Sequence, residues 1–163
     1  MHKIRTLLTI ATLLILVGCG FKLRGTSPLM DAHYSYAVVD ESRGGSSDYR
    51  EALITTLERQ KSTITSPDNA QLILIIHAEH YTKMDLAASA RGEERESTYY
   101  YTATITVRDD EGQTLIDRMS IERRRNYASL EENVLQNERA AEEIRRELTQ
   151  EAVQQLMRSL NTL

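Results

Sequence analysis

The stretch that decides the fold is Tyr99-Tyr100-Tyr101-Thr102-Ala103-Thr104-Ile105-Thr106-Val107. Tyrosine or small and aliphatic residues occupy its odd positions, and threonine occupies every even position after Tyr100. Because successive side chains of a strand point to opposite faces, this alternation predicts a strand with one buried face. The other face is then open to water or to a polar partner, and it carries a row of threonines: Thr98, Thr102, Thr104 and Thr106.

The segments on either side of this stretch predict two further strands. Asp109-Asp110-Glu111-Gly112 is a hairpin signal, so the chain is expected to return along residues 114–125. Asp117 interrupts the apolar face of that return strand and indicates a bulge. Upstream, residues 71–81 predict a central strand. One of its faces carries Leu72, Leu74, Ile76 and Ala78.

The rest of the chain supplies one more strand and two helices. Residues 33–39 predict a first strand, and residues 48–60 predict an amphipathic helix that begins with a capping box at Asp48 and Glu51. Residues 135–160 predict a long helix. Its apolar stripe is Ala141, Ile144, Leu148, Ala152, Leu156 and Leu160. The predicted fold class is α+β: a two-layer sandwich of about four mostly antiparallel strands packed against two helices, in the order β-α-β-β-β-α.

The N-terminus carries a processing signal. His2, Lys3 and Arg5 precede an apolar run, which ends in Leu16-Val17-Gly18-Cys19. A small residue before a cysteine, with aliphatic residues ahead of it, is the pattern of a bacterial lipoprotein signal. The run is shorter than the 20 or so apolar residues of a membrane-spanning helix. A retained anchor or a buried helix is the alternative interpretation.

The expected domain organisation follows from that signal. Residues 1–18 form the signal peptide, residues 19–32 a lipidated tether, and residues 33–163 a single domain. Cys19, the sole cysteine, is expected to carry a diacylglycerol and an N-acyl chain, and no other cofactor and no metal are expected. The residue after Cys19 is Gly20, not the aspartate that holds many lipoproteins in the inner membrane. The expected location is therefore the outer membrane.

Charge limits the class of partner. Loss of Lys3 and Arg5 with the leader takes two from the 20 basic residues and leaves all 24 acidic ones, so the mature chain carries a net charge of −6. Nonspecific binding to nucleic acid depends on a basic surface. The composition therefore argues against a nucleic-acid partner.

The segment Cys19-Gly20-Phe21-Lys22-Leu23-Arg24-Gly25, together with the order of the elements, resembles the LPS-assembly lipoprotein family, LptE. The resemblance implies an outer-membrane lipoprotein, attached at the periplasmic face, whose domain sits in the lumen of the LptD β-barrel. It also implies that the domain plugs the barrel, helps it assemble and binds lipopolysaccharide on its way to the outer leaflet. The alternative is a free periplasm-facing lipoprotein that binds peptidoglycan or acts as an envelope scaffold.

Basic residues near loops are the candidates for contact with lipopolysaccharide, whose phosphates and sugar acids arginine binds well. Arg91 is the first choice, because the family carries a basic residue implicated in such contact before the third strand. Lys83 and Arg95 flank it. The family's second basic residue is expected near the start of the last helix, where this chain has Leu135 and, a turn later, Arg139. Ordinary solvation of Arg91 and Arg95 is the competing interpretation.

Two other clusters have a plain explanation. Arg123-Arg124-Arg125 lies on a strand, so its side chains alternate between faces and are expected to be solvated or paired with acidic residues. His77 and His80 are three residues apart, which on a regular strand puts them on opposite faces and argues against a shared metal. No phosphate loop or hydrolase motif is present in the sequence, so the chain is expected to bind rather than to catalyse.

Overall fold

The computed structural model describes residues 34–42, 47–88, 94–130 and 134–163, with the backbone alone described at residues 87–88, 94–95 and 129–130. The predicted signal peptide, Cys19 and the tether lie outside these ranges. The elements in chain order are β1 (Ser35–Asp40), α1 (Asp48–Arg59), β2 (Thr63–Ile64), a 3-10 turn (Pro67–Asn69), β3 (Leu72–Ala88), β4 (Glu94–Asp109), β5 (Thr114–Leu130) and α2 (Val134–Leu160).

The strands form one mixed sheet in the order β2-β1-β3-β4-β5. The pairs β3-β4 and β4-β5 are antiparallel, whereas β1 runs parallel to both β2 and β3. The α+β class and the order of the main elements are confirmed, but the predicted count of four strands is one too low. The additional strand is β2, which has only two residues and is therefore too short to show any alternation.

The alternation of β4 is confirmed on its buried face. Tyr99, Tyr101, Ala103, Ile105 and Val107 all lie in the hydrophobic core. The threonine row on the other face is less open than expected. Thr102 and Thr104 are half-buried, whereas Thr98 and Thr106 are buried.

Both helices pack on the face of the sheet that carries this core, here called the inner face. Helix α1 buries Tyr49, Leu53 and Leu57. Its N-cap is Ser47 rather than the predicted Asp48, because the Ser47 hydroxyl accepts the N–H of Arg50. Helix α2 buries most of its predicted stripe, namely Ile144, Leu148, Ala152, Leu156 and Leu160, and Ala141 is packed against the same core.

Four register shifts interrupt the described pairing, and two of them are bulges on either side of Thr106. In β3 the pairing passes from Ile76 opposite Ile105 to Ala78 opposite Thr104, which leaves His77 out of the ladder. In β5 two residues, Asp117 and Arg118, oppose Thr106 alone, and Arg118 has a φ of 40°. The bulge predicted at Asp117 is confirmed. The bulge at His77 was not predicted.

Thr106 links the two bulges through its hydroxyl. The Oγ1 atom of Thr106 lies 2.8 Å from Nε2 of His77 and accepts the backbone N–H of Arg118 at 3.1 Å. Nδ1 of His77 is in turn 3.1 Å from a carboxylate oxygen of Glu41, which follows β1. These contacts explain why a polar residue on the outer face of the sheet is only 2% exposed.

The bulge at His77 changes which residues of β3 face the core. Ala78 was expected on the inner face, but it pairs with Thr104 on the outer face, and Glu79 pairs with Ala103 on the inner face. The carboxylate of Glu79 accepts the hydroxyl of Tyr101 at 2.8 Å and the hydroxyl of Ser47 at 2.6 Å. It also accepts the backbone N–H of Tyr49 at 3.4 Å. Glu79 therefore joins the N-terminus of α1 to the centre of the sheet. A negative charge is favourable at the N-terminus of a helix.

Burial affects the ionisation of the core tyrosines. Desolvation, with a further contribution from Tyr34, raises the pKa of Tyr36 to about 12. Desolvation, followed by the neighbouring Tyr99, raises the pKa of Tyr81 to about 12, although Arg145 acts in the opposite direction. In both cases the folded protein holds the phenol proton more tightly than an unfolded chain does.

Stability is therefore expected to fall at alkaline pH. Above pH 10 the unfolded chain releases phenol protons that the folded chain keeps, so unfolding becomes easier as pH rises towards 12. Each of these two tyrosines contributes a loss of up to about 1.4 kcal/mol per pH unit. Urea unfolding at a series of pH values from 8 to 11.5 measures the slope. The variant Tyr36→Phe should show a shallower slope, and an identical slope in both proteins would contradict this origin.

Candidate functional site

The outer halves of the three long strands form a separate structural unit. The pairing of β1 with β3 is limited to residues 72–76 of β3. Beyond the bulges the sheet therefore consists of β3, β4 and β5 alone. We call this part, residues 78–88, 94–104 and 120–130, the distal ribbon. It is about 35 Å long at the usual rise of a strand. Of the predicted basic residues, Lys83, Arg95 and Arg139 lie at or near this ribbon.

The helix α2 runs along the inner face of the distal ribbon from its first turns. The hydroxyl of Tyr127 donates to the side-chain oxygen of Asn137 at 3.3 Å, and the hydroxyl of Tyr81 donates to the carbonyl of Ala141 at 3.0 Å. Tyr81 also stacks on Tyr99 with ring centroids 5.8 Å apart, and the guanidinium of Arg145 lies 5.5 Å from the Tyr81 ring centroid. The same arginine pairs with Asp48 of α1 at 2.6 Å.

The four candidate basic residues are described to different extents. Lys83 lies opposite Tyr99, is about half exposed, and its Nζ is 2.9 Å from Asp85. Arg95 lies on β4 opposite Ala88, and its side chain is not described. Arg139 is exposed on α2, between the two residues that fasten this helix to the ribbon. Arg91 falls in the β3-β4 connection, outside the described residues.

The structure thus brings Lys83, Arg95 and Arg139 to the same part of the molecule, although they come from three different elements. It also places exposed apolar side chains there, which the sequence analysis missed. Met84 is 52% exposed on β3, and Leu135 is 71% exposed at the start of α2; Leu86 and Val134 are exposed beside them. Strand β3 was expected to end at Tyr81, so Met84 and Leu86 lay beyond the predicted strand. Lys83 lies opposite Tyr99 on the inner face, where α2 packs, whereas Met84 lies opposite Thr98 on the outer face. The end of the ribbon therefore carries basic and apolar residues on two faces.

The three consecutive arginines of β5 divide between the two faces as predicted. Arg123 donates to the side-chain oxygen of Gln155 and lies 3.9 Å from Glu151. Arg125 pairs with Glu147 at 2.9 Å and with Glu151 at 2.6 Å. Both therefore serve to hold α2 against the sheet. Arg124 lies directly opposite Tyr100 on the neighbouring strand and is exposed on the outer face.

The expectation that His77 and His80 lie on opposite faces is wrong, because the bulge changes the alternation between them. His77 contacts Thr106 and His80 pairs with Thr102, so both histidines lie on the outer face. The two ring nitrogens of His77 contact Thr106 and Glu41, whereas His80 is exposed. Within the ranges that the structure describes, no group of three or more His, Cys, Asp or Glu side chains is placed to hold a metal ion.

A comparison with protein families decides the identity of the domain. The family model described as LptE, lipopolysaccharide-assembly, matches residues 35–160, from β1 to the end of α2. The chain belongs to the LptE family. The family resemblance stated from the sequence is thereby confirmed, and with it a place among the lipoproteins of lipopolysaccharide assembly.

Solved structures share the LptE fold. Lipoprotein B from Nitrosomonas europaea has a TM-score of 0.63 and 20% identity, over 87% of this chain and 90% of that chain. Rare lipoprotein B from Shewanella oneidensis has a TM-score of 0.60 and 16% identity, over 77% and 94%. A minor lipoprotein from Acinetobacter baumannii has a TM-score of 0.60 and 16% identity, over 79% and 91%. No curated protein matches the chain.

The helices of the described part were also compared with the requirements of a membrane span. Neither α1 nor α2 combines the length and apolar character needed to cross a bilayer. In α2 the buried apolar residues form one stripe that packs in the core, and apart from Val134 and Leu135 at its start the exposed surface is charged or polar.

Proposed function

We propose that this LptE-family protein is the lipid-anchored subunit that occupies the lumen of an LptD-like β-barrel in the outer membrane. There it plugs the barrel, assists its assembly and binds lipopolysaccharide on its way to the outer leaflet. The observation that carries the proposal is the family match over residues 35–160, which spans nearly all of the described fold. Attachment to the membrane would come from acyl chains on Cys19.

The surface of the distal ribbon supports a role in binding lipopolysaccharide. That ligand combines phosphates and sugar acids with acyl chains. On the side of α2 the ribbon offers Lys83, and the helix adds exposed Arg139 and Leu135; exposed Met84 lies on the other face, and Arg95 is placed on β4 opposite Ala88. Arginine binds phosphate through charge-assisted and often bidentate hydrogen bonds, and an exposed apolar group favours contact with acyl chains.

The polar character of the outer face supports a place inside a barrel. The lumen of a large β-barrel is lined by polar residues, so a plug needs a hydrogen-bonding exterior. Away from the end of the ribbon, the exposed outer-face residues include His80, Arg108, Ser120 and Glu122. These side chains suit a wet interface better than a dry one.

Co-purification tests the proposal directly. The lipidated protein, tagged at its C-terminus and extracted in mild detergent, is expected to bring down a large outer-membrane barrel in equal amount. Recovery of the protein as a solitary monomer would favour the alternative of a free periplasm-facing lipoprotein. In that case, binding to isolated peptidoglycan sacculi becomes the relevant measurement.

Reversing the charge at Arg91 is expected to weaken binding of lipopolysaccharide by about tenfold, because one charge-assisted contact is lost and a repulsion is added. The measurement is a titration of the lipidated Arg91→Asp protein with purified lipopolysaccharide. Arg50→Asp is a matched control, since it makes the same charge change at an exposed position in the first turn of α1. Equal binding by wild type and Arg91→Asp, with equal urea midpoints, would remove Arg91 from the site.

A further inference from the structure

The outer face of the distal ribbon carries one exposed aromatic ring with an arginine beside it. Tyr100 is 39% exposed, whereas its neighbours Tyr99 and Tyr101 are in the core. Arg124 is the direct cross-strand partner of Tyr100, so their Cβ atoms are about 5 Å apart. This pair lies on the face opposite to Lys83 and α2, and exposed Met84 of the neighbouring row shares that face.

Arg124 differs from the arginines on either side of it. Arg123 and Arg125 face the helix and are neutralised by Glu147 and Glu151. Within the part of the chain that the structure describes, Arg124 has no ion pair, and its side chain is exposed. Its charge is therefore available to a ligand, while the other two charges stabilise the fold.

Hydrogen-bonding side chains surround this pair in regular cross-strand rows. Tyr100 lies between Thr82 on β3 and Arg124 on β5, and the next row along the ribbon is His80, Thr102 and Glu122. On the other side, Thr98 donates to the side-chain oxygen of Asn126 at 3.2 Å, and Asn126 is exposed. Neighbouring strands are about 4.8 Å apart, so each row spans about 10 Å, the width of one or two sugar rings.

We propose that this face, centred on Tyr100 and Arg124, is a binding strip for an anionic saccharide. The inference deepens the proposed function, on which it rests, because it assigns the sugar part of lipopolysaccharide to the outer face of the ribbon. The face of a pyranose ring presents C–H groups that pack on the ring of a tyrosine. Arg124 supplies the charge that complements a sugar acid or a sugar phosphate, and Thr82 and Asn126 supply hydrogen bonds.

The test uses the full lipidated protein in a detergent without sugar head groups. The probe is lipopolysaccharide stripped of its acyl chains, that is, a soluble phosphorylated core oligosaccharide, titrated by calorimetry. Arg124→Gln is expected to raise the dissociation constant about tenfold, and Tyr100→Thr about fivefold. Tyr100→Phe should bind within about twofold of wild type, since it keeps the ring that packs on the sugar.

Arg108→Gln provides a matched control. Arg108 is an exposed arginine on the same face of β4, about 26 Å from Tyr100 along the strand. It should leave binding of the oligosaccharide unchanged. An equal loss in Arg108→Gln and Arg124→Gln would overturn the proposal, since it would indicate a general charge effect.

Four further outcomes are decisive. Equal binding of a neutral oligosaccharide of the same length, or full displacement by inorganic phosphate at the same concentration, would overturn the assignment of an anionic sugar. Variants at Tyr100 and Arg124 that bind the oligosaccharide normally but lose the barrel would overturn it in favour of a barrel contact. If the oligosaccharide does not bind while intact lipopolysaccharide does, this inference fails and the proposed function stands.

Discussion

Replacing Glu79 with alanine is expected to lower the free energy of unfolding by about 4 kcal/mol, a large part of the stability of a domain of this size. The change removes the acceptor for the hydroxyls of Tyr101 and Ser47, both of which are buried. A buried donor without a partner costs about 1–3 kcal/mol, and two are created here. The N-terminus of α1 would also lose the carboxylate that favours it.

Urea unfolding of Glu79→Ala and wild type measures this loss. Glu79→Gln keeps one carbonyl acceptor and should cost less than Glu79→Ala. Glu122→Ala is the matched control, because it removes an exposed glutamate from a neighbouring strand and should change stability by less than about 0.5 kcal/mol. A Glu79→Ala protein as stable as Glu122→Ala would show that the carboxylate does not join the helix to the sheet.

Replacing Cys19 with alanine is expected to abolish acylation and, with it, anchoring by acyl chains. The thiol is the proposed site of acylation, and two or more acyl chains make attachment effectively permanent. Without that thiol the domain should fold normally, because α1, α2 and the sheet contain the whole described core. Fractionation of membranes, combined with mass spectrometry of the N-terminal peptide, measures both the attachment and the acyl chains.

The control for this prediction is Ser27→Ala, which changes a neighbouring residue of the same segment and should stay membrane-bound. The wild-type peptide should begin at Cys19 and carry the added mass of a diacylglycerol and an N-acyl chain. An unmodified Cys19 in the mature protein, or acyl chains that persist on the Cys19→Ala protein, would refute the lipoprotein assignment.

Periodicity predicted the parts of the fold that bury one continuous face. The alternation from Tyr99 to Val107 and the stripe from Ile144 to Leu160 are set by the requirement for a core, so they are visible in the sequence. The outer ends of β3 and β5 were underestimated, because both of their faces carry polar residues. Strand β3 therefore extends to Ala88 rather than to Tyr81, and β5 extends to Leu130 rather than to Arg125.

The bulges explain the remaining errors. A regular strand was assumed from Leu72 to Tyr81, so Ala78 was placed in the core and the two histidines on opposite faces. The extra residue at His77 reverses both expectations. Asp117 was detectable because it broke an apolar face, whereas His77 lies where a half-buried polar side chain is ordinary.

The candidate site was predicted only in part, for a different physical reason. Basic residues near loops can be recognised from sequence, but which of them share a surface depends on strand pairing and on where α2 docks. Arg139 lies near the ribbon because Tyr127 and Tyr81 hold α2 there. Such contacts produce no periodic pattern in the sequence. The sequence does not distinguish Arg124 from Arg123 and Arg125. The structure does so, because it shows the acidic partners of those two arginines.

The bulge at His77 shows where this sheet can absorb a change in length. Without that residue, Ile76 and Ala78 would be consecutive and could keep their present partners, Ile105 and Thr104, so Glu79 would still face the core. A deletion at this point would remove the side chain that contacts Thr106 and Glu41 but leave the ladder intact. A deletion inside the regular stretch of β4, by contrast, exchanges the faces of every later residue unless a bulge absorbs it. Relatives should therefore differ by single residues at the bulge more readily than within that stretch.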